Sequence, residues 1–327
     1  MSAEISDRHG AERTRLDGVR NEIEEIIARY VLRHGVGATV VPGLSVGRAT
    51  SPIPPSSYMF EPSLCIGARG SKRVHLGDTS YVYDGDRFLL TAVGLPTIIE
   101  VSSASEDAPY TALQLTLDLQ MARQVIGEVE SHRIDQARPE PGIVTGPVSL
   151  ALLDAVARLV RLLDDPKDIP VLHPIIHREI LYRVLIGPAG ERLRQIVQVG
   201  SQGGRIAKAV ERLQRDFSKK LRIEDLAEEA GMGVSTLHAH FREITTMSPL
   251  QFQKQLRLHE ARRLMLTEDS DAANAAYRVG YESVTQFNRE YRRLFGAPPV
   301  QDVKALRASH AANTVTRIHA GGGATWH

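Results

Sequence analysis

At 327 residues, with 42% hydrophobic and 24% charged residues, the chain is long enough for two domains that each bury a core, and its composition is that of an ordinary soluble protein. No apolar run approaches the roughly 18 residues of a membrane span, and the N-terminus, with Glu4, Asp7 and Arg8, lacks a signal-peptide core, so neither a membrane partner nor secretion is expected. A single cysteine, Cys65, excludes an internal disulfide framework and fits a reducing cytoplasm, while the net charge of +1 hides a basic third: 18 Lys/Arg against 14 Asp/Glu between Gly200 and Ser309, and 22 against 25 elsewhere.

Residues 1–12 are polar and are expected to be disordered. From Arg13 to about His34, Leu16, Val19, Ile23, Ile26, Ile27 and Tyr30 have helical spacing, closed by Gly35. From about Thr39 to Leu117 the texture changes to short β-rich runs such as 79–83 and 87–91, separated by Pro42-Gly43, Pro52 to Pro55, Gly67, Gly77-Asp78 and Asp84-Gly85. That pattern predicts an antiparallel sandwich or barrel. Asp118 caps a helix to about Val129, and Ser131 to Gly146, with Pro139 and Pro141, reads as a loop. Helices over roughly Val148–Leu163 and Val171–Ile186 follow, the second stopped by Gly187-Pro188. The segment Gly200 to Gly204 is the best hinge candidate in the chain. Beyond it Ile206, Val210, Leu213 and Phe217 open an all-helical domain, and the tail after Ser309 has no periodicity.

Within the helical third, two segments repeat. Val234, Leu237, Phe241 and Ile244 follow i, i+3, i+7, i+10, and Val284, Phe287, Tyr291 and Leu294 repeat them fifty residues later. In the first unit a short helix, Ile223 to Ala230, turns through Gly231-Met232-Gly233 into a second helix, with Gly233 at the N-cap and small Ala227 four before Gly231. In the second unit Ala276 lies four before Gly280, Ser283 caps the helix with Gln286 as a capping-box partner, and Gly296 and Pro298 stop it. Between the units Ser248-Pro249-Leu250-Gln251 opens a helix of roughly 18 residues, about 27 Å long. That length suits two helices entering successive major-groove turns about 34 Å apart. The faces opposite the apolar ones are short, polar and partly basic, as double-stranded DNA requires.

The segments Gly231 to Phe241, Ser248 to Leu258, Glu260 to Leu264, Val279 to Ser283, Gln286 to Tyr291 and Leu294 to Pro299 resemble the DNA-binding domain of AraC/XylS-type transcription regulators over about residues 205–305. Glu61 to Cys65, Gly70 to Val74 and Pro109-Tyr110 resemble the N-terminal domain of one AraC-type subgroup. Gly233 departs from the family, which usually caps with serine. The resemblance implies base-reading candidates Ser235, Thr236, His238, Ala239 and Arg242 in the first unit, and Thr285, Gln286, Asn288 and Arg289 in the second, with Arg292 and Arg293 on phosphate. Arg289 is the best candidate for a bidentate guanine contact. Gln286 has an equal reading as capping-box partner, and His238 as a solvent-facing residue. It further implies a cupin-like barrel that binds a small-molecule effector, forms a homodimer, or does both, and an activator in contact with RNA polymerase.

A catalytic metal cupin needs several histidines and a carboxylate on one ion, and between Thr39 and Leu117 the only histidine is His75. His173 and His177 are spaced as half a zinc site, without a third ligand nearby, Glu179 lying on another face; packed or solvated histidines are the expectation. Cys65, between Leu64 and Ile66, reads as an inert buried thiol. No Gly-x-Ser-x-Gly elbow, Walker loop or dinucleotide fingerprint occurs, so neither a catalytic site nor a cofactor is expected. The expected fold is α+β: an effector-binding and dimerisation domain over 13–199, with a cupin-like β-barrel at about 39–117 and flanking helices; an all-α domain over 200–308, with two helix-turn-helix units joined by a long helix; and a disordered tail over 309–327. The expected function is sequence-specific control of transcription by a cytoplasmic, effector-responsive protein. The rival readings are a ligand-independent architectural DNA-binding protein and a cupin enzyme tethered to DNA.

Overall fold

The computed structural model describes residues 2–129, 141–198, 200–268 and 270–312. The first helix, α1 (Ser2–His34), is longer than its apolar pattern. Residues 2–12, expected to be disordered, continue it, because good helix formers such as Ala3, Glu4, Ala11 and Glu12 extend the backbone ladder without needing an apolar face. Its seam of Ile23, Ile26 and Ile27 is buried.

Ten strands follow: β1 (Gly37–Ala38), β2 (Leu44–Ala49), β3 (Ile53–Phe60), β4 (Ser63–Arg69), β5 (Lys72–Leu76), β6 (Thr79–Tyr83), β7 (Arg87–Thr91), β8 (Leu95–Val101), β9 (Tyr110–Thr116) and, after α2 (Leu119–Val129), β10 (Ile143–Pro147). They form an antiparallel six-stranded sheet, β1-β2-β9-β4-β7-β10, and an antiparallel four-stranded sheet, β3-β8-β5-β6. The result is a cupin-like sandwich of two facing sheets rather than one hydrogen-bonded cylinder. β10 corrects the loop expected over Ser131 to Gly146: residues 143–146 pair with β7 from Ile143↔Thr91 onward, while 130–140 lie outside the described residues. Asp118 caps α2 as expected, its Oδ1 accepting from the Gln120 and Met121 amides at 2.9 Å.

Helices α3 (Leu150–Arg161) and α4 (Ile169–Ile186) match the expected pair within two residues at each boundary, and a short helix, α5 (Gly190–Val197), was not anticipated. The hinge reading needs correcting. Gly200 alone turns the chain, at φ +87°, whereas Gly203 and Gly204 lie in the first turn of α6 (Gln202–Arg215). A Cβ on Gly203 would sit 2.5 Å from the Gln195 carbonyl oxygen, and one on Gly204 2.3 Å from that of Gln198. The glycines therefore serve close packing of α6 on α5, not flexibility.

The remaining helices are α7 (Ile223–Glu229), α8 (Val234–Thr245), α9 (Pro249–Thr267), α10 (Ala272–Arg278), α11 (Val284–Phe295) and α12 (Pro299–Ala312). The last runs three residues past Ser309, where disorder was expected to begin; 313–327 lie outside the described residues. One continuous core runs from the sandwich through α3 to α6 into the first helix-turn-helix unit, ending at Leu256. A second core, starting at Leu258 on the same helix α9, is built from the second unit, with Phe217 of the loop after α6 packed against both cores.

Candidate DNA interface

The two recognition helices are built alike. In α8, Leu237, Phe241 and Ile244 are buried, and in α11 Phe287 and Tyr291. Val234 is the exception to its predicted face, 40% exposed at the start of α8. Both turns use a left-handed glycine, Gly231 at φ +63° and Gly280 at φ +88°, after a buried Ala227 or Ala276 that lets the helices meet closely. Gly233 occupies the N-cap of α8 without a side-chain bond, whereas the Ser283 hydroxyl accepts from the Gln286 amide at 3.3 Å. The connector α9 begins with a full capping box between Ser248 and Gln251, has Pro249 at its first position, and spans 19 residues, about 28 Å.

Polar anchors missed in the sequence hold these helices in place. Arg262 donates twice to the Asp302 carboxylate, at 2.8 and 2.9 Å, and the buried Tyr291 hydroxyl donates to the same group at 2.7 Å. Burial first, then the Asp302 charge, pushes the Tyr291 phenol upward, so it stays a donor. Arg257 donates to the carbonyl oxygens of Phe217 (2.7 Å) and Gly280 (2.8 Å), fastening the loop after α6 to the turn of the second unit. No periodicity signals such contacts; an arginine in a half-buried helical position is the only trace they leave.

On the outer faces, Ser235, Thr236, Ala239 and Arg242 of α8 are exposed and His238 is half-buried. Thr285, Gln286, Asn288, Arg289, Arg292 and Arg293 of α11 are all exposed. The side chains of Arg242, Arg289, Arg292 and Arg293 enter no ion pair or hydrogen bond among the described residues. Gln286 is not the capping-box partner that was one of its two readings: its amide nitrogen lies along the helix and donates to Glu290 at 3.2 Å. Burial opposes ionisation of Glu290, but hydrogen bonds from Lys254 (2.9 Å), Tyr281 (2.8 Å) and Gln286 outweigh it and hold the carboxyl below its usual range. Glu290 is thereby held ionised and paired with the Lys254 ammonium.

The helical domain also touches the sandwich. The Gly142 amide donates to the Ile244 carbonyl oxygen at the end of α8 (2.9 Å), and Ser57 of β3 lies 3.0 Å from His259 of α9. Burial, then the Arg262 charge, lowers the His259 imidazole to about 3, so it is neutral there. The His173 and His177 rings meet edge to face with centres 5.4 Å apart, and burial followed by the His173 charge lowers His177 to about 4. No group of three or more His, Cys, Asp or Glu side chains with metal-holding geometry occurs among the described residues, and no described helix is long and apolar enough to cross a membrane.

Two matched helix-turn-helix units on one rigid connector, behind a β-sandwich, define a DNA-binding transcription regulator. Comparison with known proteins agrees. Residues 40–192 match the family model of the AraC-type transcriptional regulator N-terminus, and 226–305 match a helix-turn-helix domain model. The chain is 28% identical over 209 residues to the HTH-type transcriptional regulator ExsA of Pseudomonas aeruginosa, covering 63% of this chain and 72% of that protein. It is 26% identical over 160 residues to the HTH-type transcriptional activator RhaS of Salmonella schwarzengrund, covering 49% of this chain and 57% of that one. Among solved structures, ToxT of Vibrio cholerae bound to an unsaturated fatty acid superposes with a TM-score of 0.54 at 12% identity, over 80% of this chain and 94% of that one, a likeness of fold. The chain belongs to the AraC/XylS-type transcription regulators.

Proposed function

We infer that the protein is a small-molecule-responsive activator that reads two short DNA boxes, one with α8 and one with α11. The observation that carries this reading is the pair of exposed polar faces bearing four arginines without an internal ionic partner among the described residues. Ser235, Thr236, His238, Ala239 and Arg242 face the first box, and Thr285, Asn288 and Arg289 the second. Arg292 and Arg293 meet phosphate, and Gln286 exchanges its bond to Glu290 for a base edge. Phosphate contacts dominate affinity and make it fall with salt, while the base-facing side chains specify sequence.

The sensor occupies residues 13–199 and the reader 200–308. Effector binding in the sandwich acts on the reader through the Gly142–Ile244 and Ser57–His259 contacts. The polar side chains between the sheets support a sensing role over a purely architectural one. A homodimer is the inferred assembly, with Val171 (67% exposed) and Ile175 (59%) of α4 offering apolar surface for it, and RNA polymerase is the partner of the DNA-bound form.

Selection of bound sequences from a random duplex library, with intact protein and with Arg289→Ala, tests the reading. Enrichment of two short boxes about one helical turn apart, relaxed at one position by Arg289→Ala at a cost of roughly 1–3 kcal/mol, is the expected result. Salt-sensitive binding without sequence preference would overturn it.

A further inference from the structure

Helix α4 carries apolar side chains around its whole circumference, yet only part of that surface is covered. Packed against α2, α3 and α5, it buries Ile176, Ile180, Leu181, Val184 and Leu185. On its other side Val171 is 67% exposed, Ile175 59%, Tyr182 37% and Ile186 49%. These four recur at i, i+4, i+11 and i+15, so they form one stripe, about 22 Å long. Leu172, also exposed, widens it near its N-terminal end. A helix apolar on every side belongs in an interior, and a contiguous apolar stripe on a surface marks an interaction site.

Charges lie only along the edges of the stripe. Arg178 and Glu179, adjacent in sequence at its middle, fall about 100° apart around the helix and so flank it on opposite sides. Both are held in place within the subunit. Arg178 bonds to Glu128 of α2, and Glu179 accepts from Arg158 of α3 at 2.5 Å and from Arg183 at 3.5 Å.

Two symmetric arrangements would bury the stripe against a second copy of itself. If the two helices run in opposite directions, like edges meet, and beside the two-fold axis Arg178 faces Arg178 and Glu179 faces Glu179. If they run in the same direction, with the axis along their length, unlike edges meet. Arg178 of each copy then lies beside Glu179 of the other, and each apolar residue of the stripe meets its own counterpart.

We propose that α4 is the surface through which two copies of this chain dock, with the helices running in the same direction, Ile175 and Tyr182 at the centre and Arg178 beside Glu179 along both edges. This rests on the homodimer reading above and supplies its face, its residues and the relative direction of the subunits. A second copy fits better than an unlike partner, because homodimer interfaces are core-like and poor in charge, as this stripe is, and because the stripe brings its own counter-charges. The apolar contact supplies most of the affinity, and the water-exposed edge charges set the direction.

Sedimentation equilibrium of the full-length protein tests the face, with Ile175→Glu beside Leu32→Glu, a control at an 88% exposed position on α1. The wild type is expected to dimerise. Ile175→Glu should raise the dimer dissociation constant on the order of a hundredfold or more, and Leu32→Glu should leave it unchanged. Circular dichroism checks that the Ile175→Glu subunit is folded, and Ile175→Ser serves if it is not. Cysteine cross-linking reads the direction, since the chain's other thiol, Cys65, is buried. Val171→Cys and Ile186→Cys should each give a disulfide-linked dimer on mild oxidation, because opposed helices would hold the two like positions about 22 Å apart. A dimer that Ile175→Glu and Ile175→Ser leave intact would overturn α4 as the interface and leave the homodimer reading standing. Cross-linking only in a mixture of Val171→Cys and Ile186→Cys would overturn the direction. A wild type that stays monomeric, with and without operator duplex, would overturn both the docking face and the homodimer. If Ile175→Glu then still abolished promoter output, the stripe would belong to a contact with the transcription machinery instead.

Discussion

Lys72, the first residue of β5, is only 7% exposed, and its ammonium lies 5.2 Å from the centre of the Tyr110 ring. Its folded pKa of about 8 lies below the usual 10.5, so between those values the unfolded chain holds more protons than the folded one. Stability contributed at this site therefore rises with pH across that window, and the full cost of burying the charge, on the order of 3 kcal/mol, applies below pH 8. Cys65 works the other way: burial pushes its thiol up to about 12, so its contribution falls as pH rises past the unfolded thiol value. The two are separated by comparing variants. Urea melts of wild type and Lys72→Met at pH 7, 8, 9 and 10 should show the variant more stable at pH 7, with the difference shrinking as pH rises. A difference independent of pH would mean that the ammonium is solvated or paired in the folded protein.

At the level of elements, the two turn glycines make a matched experiment. Both have positive φ, but nothing lies within 4 Å of a Cβ added at Gly231, whereas at Gly280 it would meet the Ser218 carbonyl oxygen at 2.1 Å. Gly231→Ala should cost about 1 kcal/mol, the strain of a left-handed alanine. Gly280→Ala should cost roughly 3 kcal/mol or more, because the 216–219 loop, held by Arg257, must move as well. Urea denaturation measures both, and equal costs would show that the loop yields freely. Sequence pattern alone could identify the two turns, because glycine, the small residue before it and the apolar stripe are local signals. The same holds for the Ser248–Gln251 capping box and for the β-runs between 39 and 117. It could not identify β10, whose pairing with β7 joins segments some fifty residues apart. It also misread Gly203 and Gly204, since a flexible linker and a close helix contact call for the same residue. Lys72 escaped notice because period-two alternation says which face a residue takes, not whether an acid awaits it there.

The whole molecule divides its stability at α9. Leu256 belongs to the core shared by the sandwich and the first unit, and Leu258, two residues on, to the smaller core of the second unit. A unit with less buried apolar surface opens at lower free energy than the body it is attached to. Besides the continuous helix α9, the second unit is tied to the rest by the Arg257 bonds to Phe217, Ser218 and Lys219 on one side and Gly280 on the other, by the 3.0 Å contact of Ser57 with His259, and by α11 lying against β3. Native-state hydrogen exchange should therefore show the amides of α10 and α11 opening together, ahead of those of α6, α8 and β4. Arg257→Ala should lower protection in α10 and α11 and leave β4 unchanged. Duplex DNA carrying both boxes should raise protection in the second unit more than in the first, because binding stabilises most the part that opens most readily. Exchange at a single free energy throughout would mean that the two cores act as one. In that case α11 could not adjust separately from α8 when the protein meets its operator.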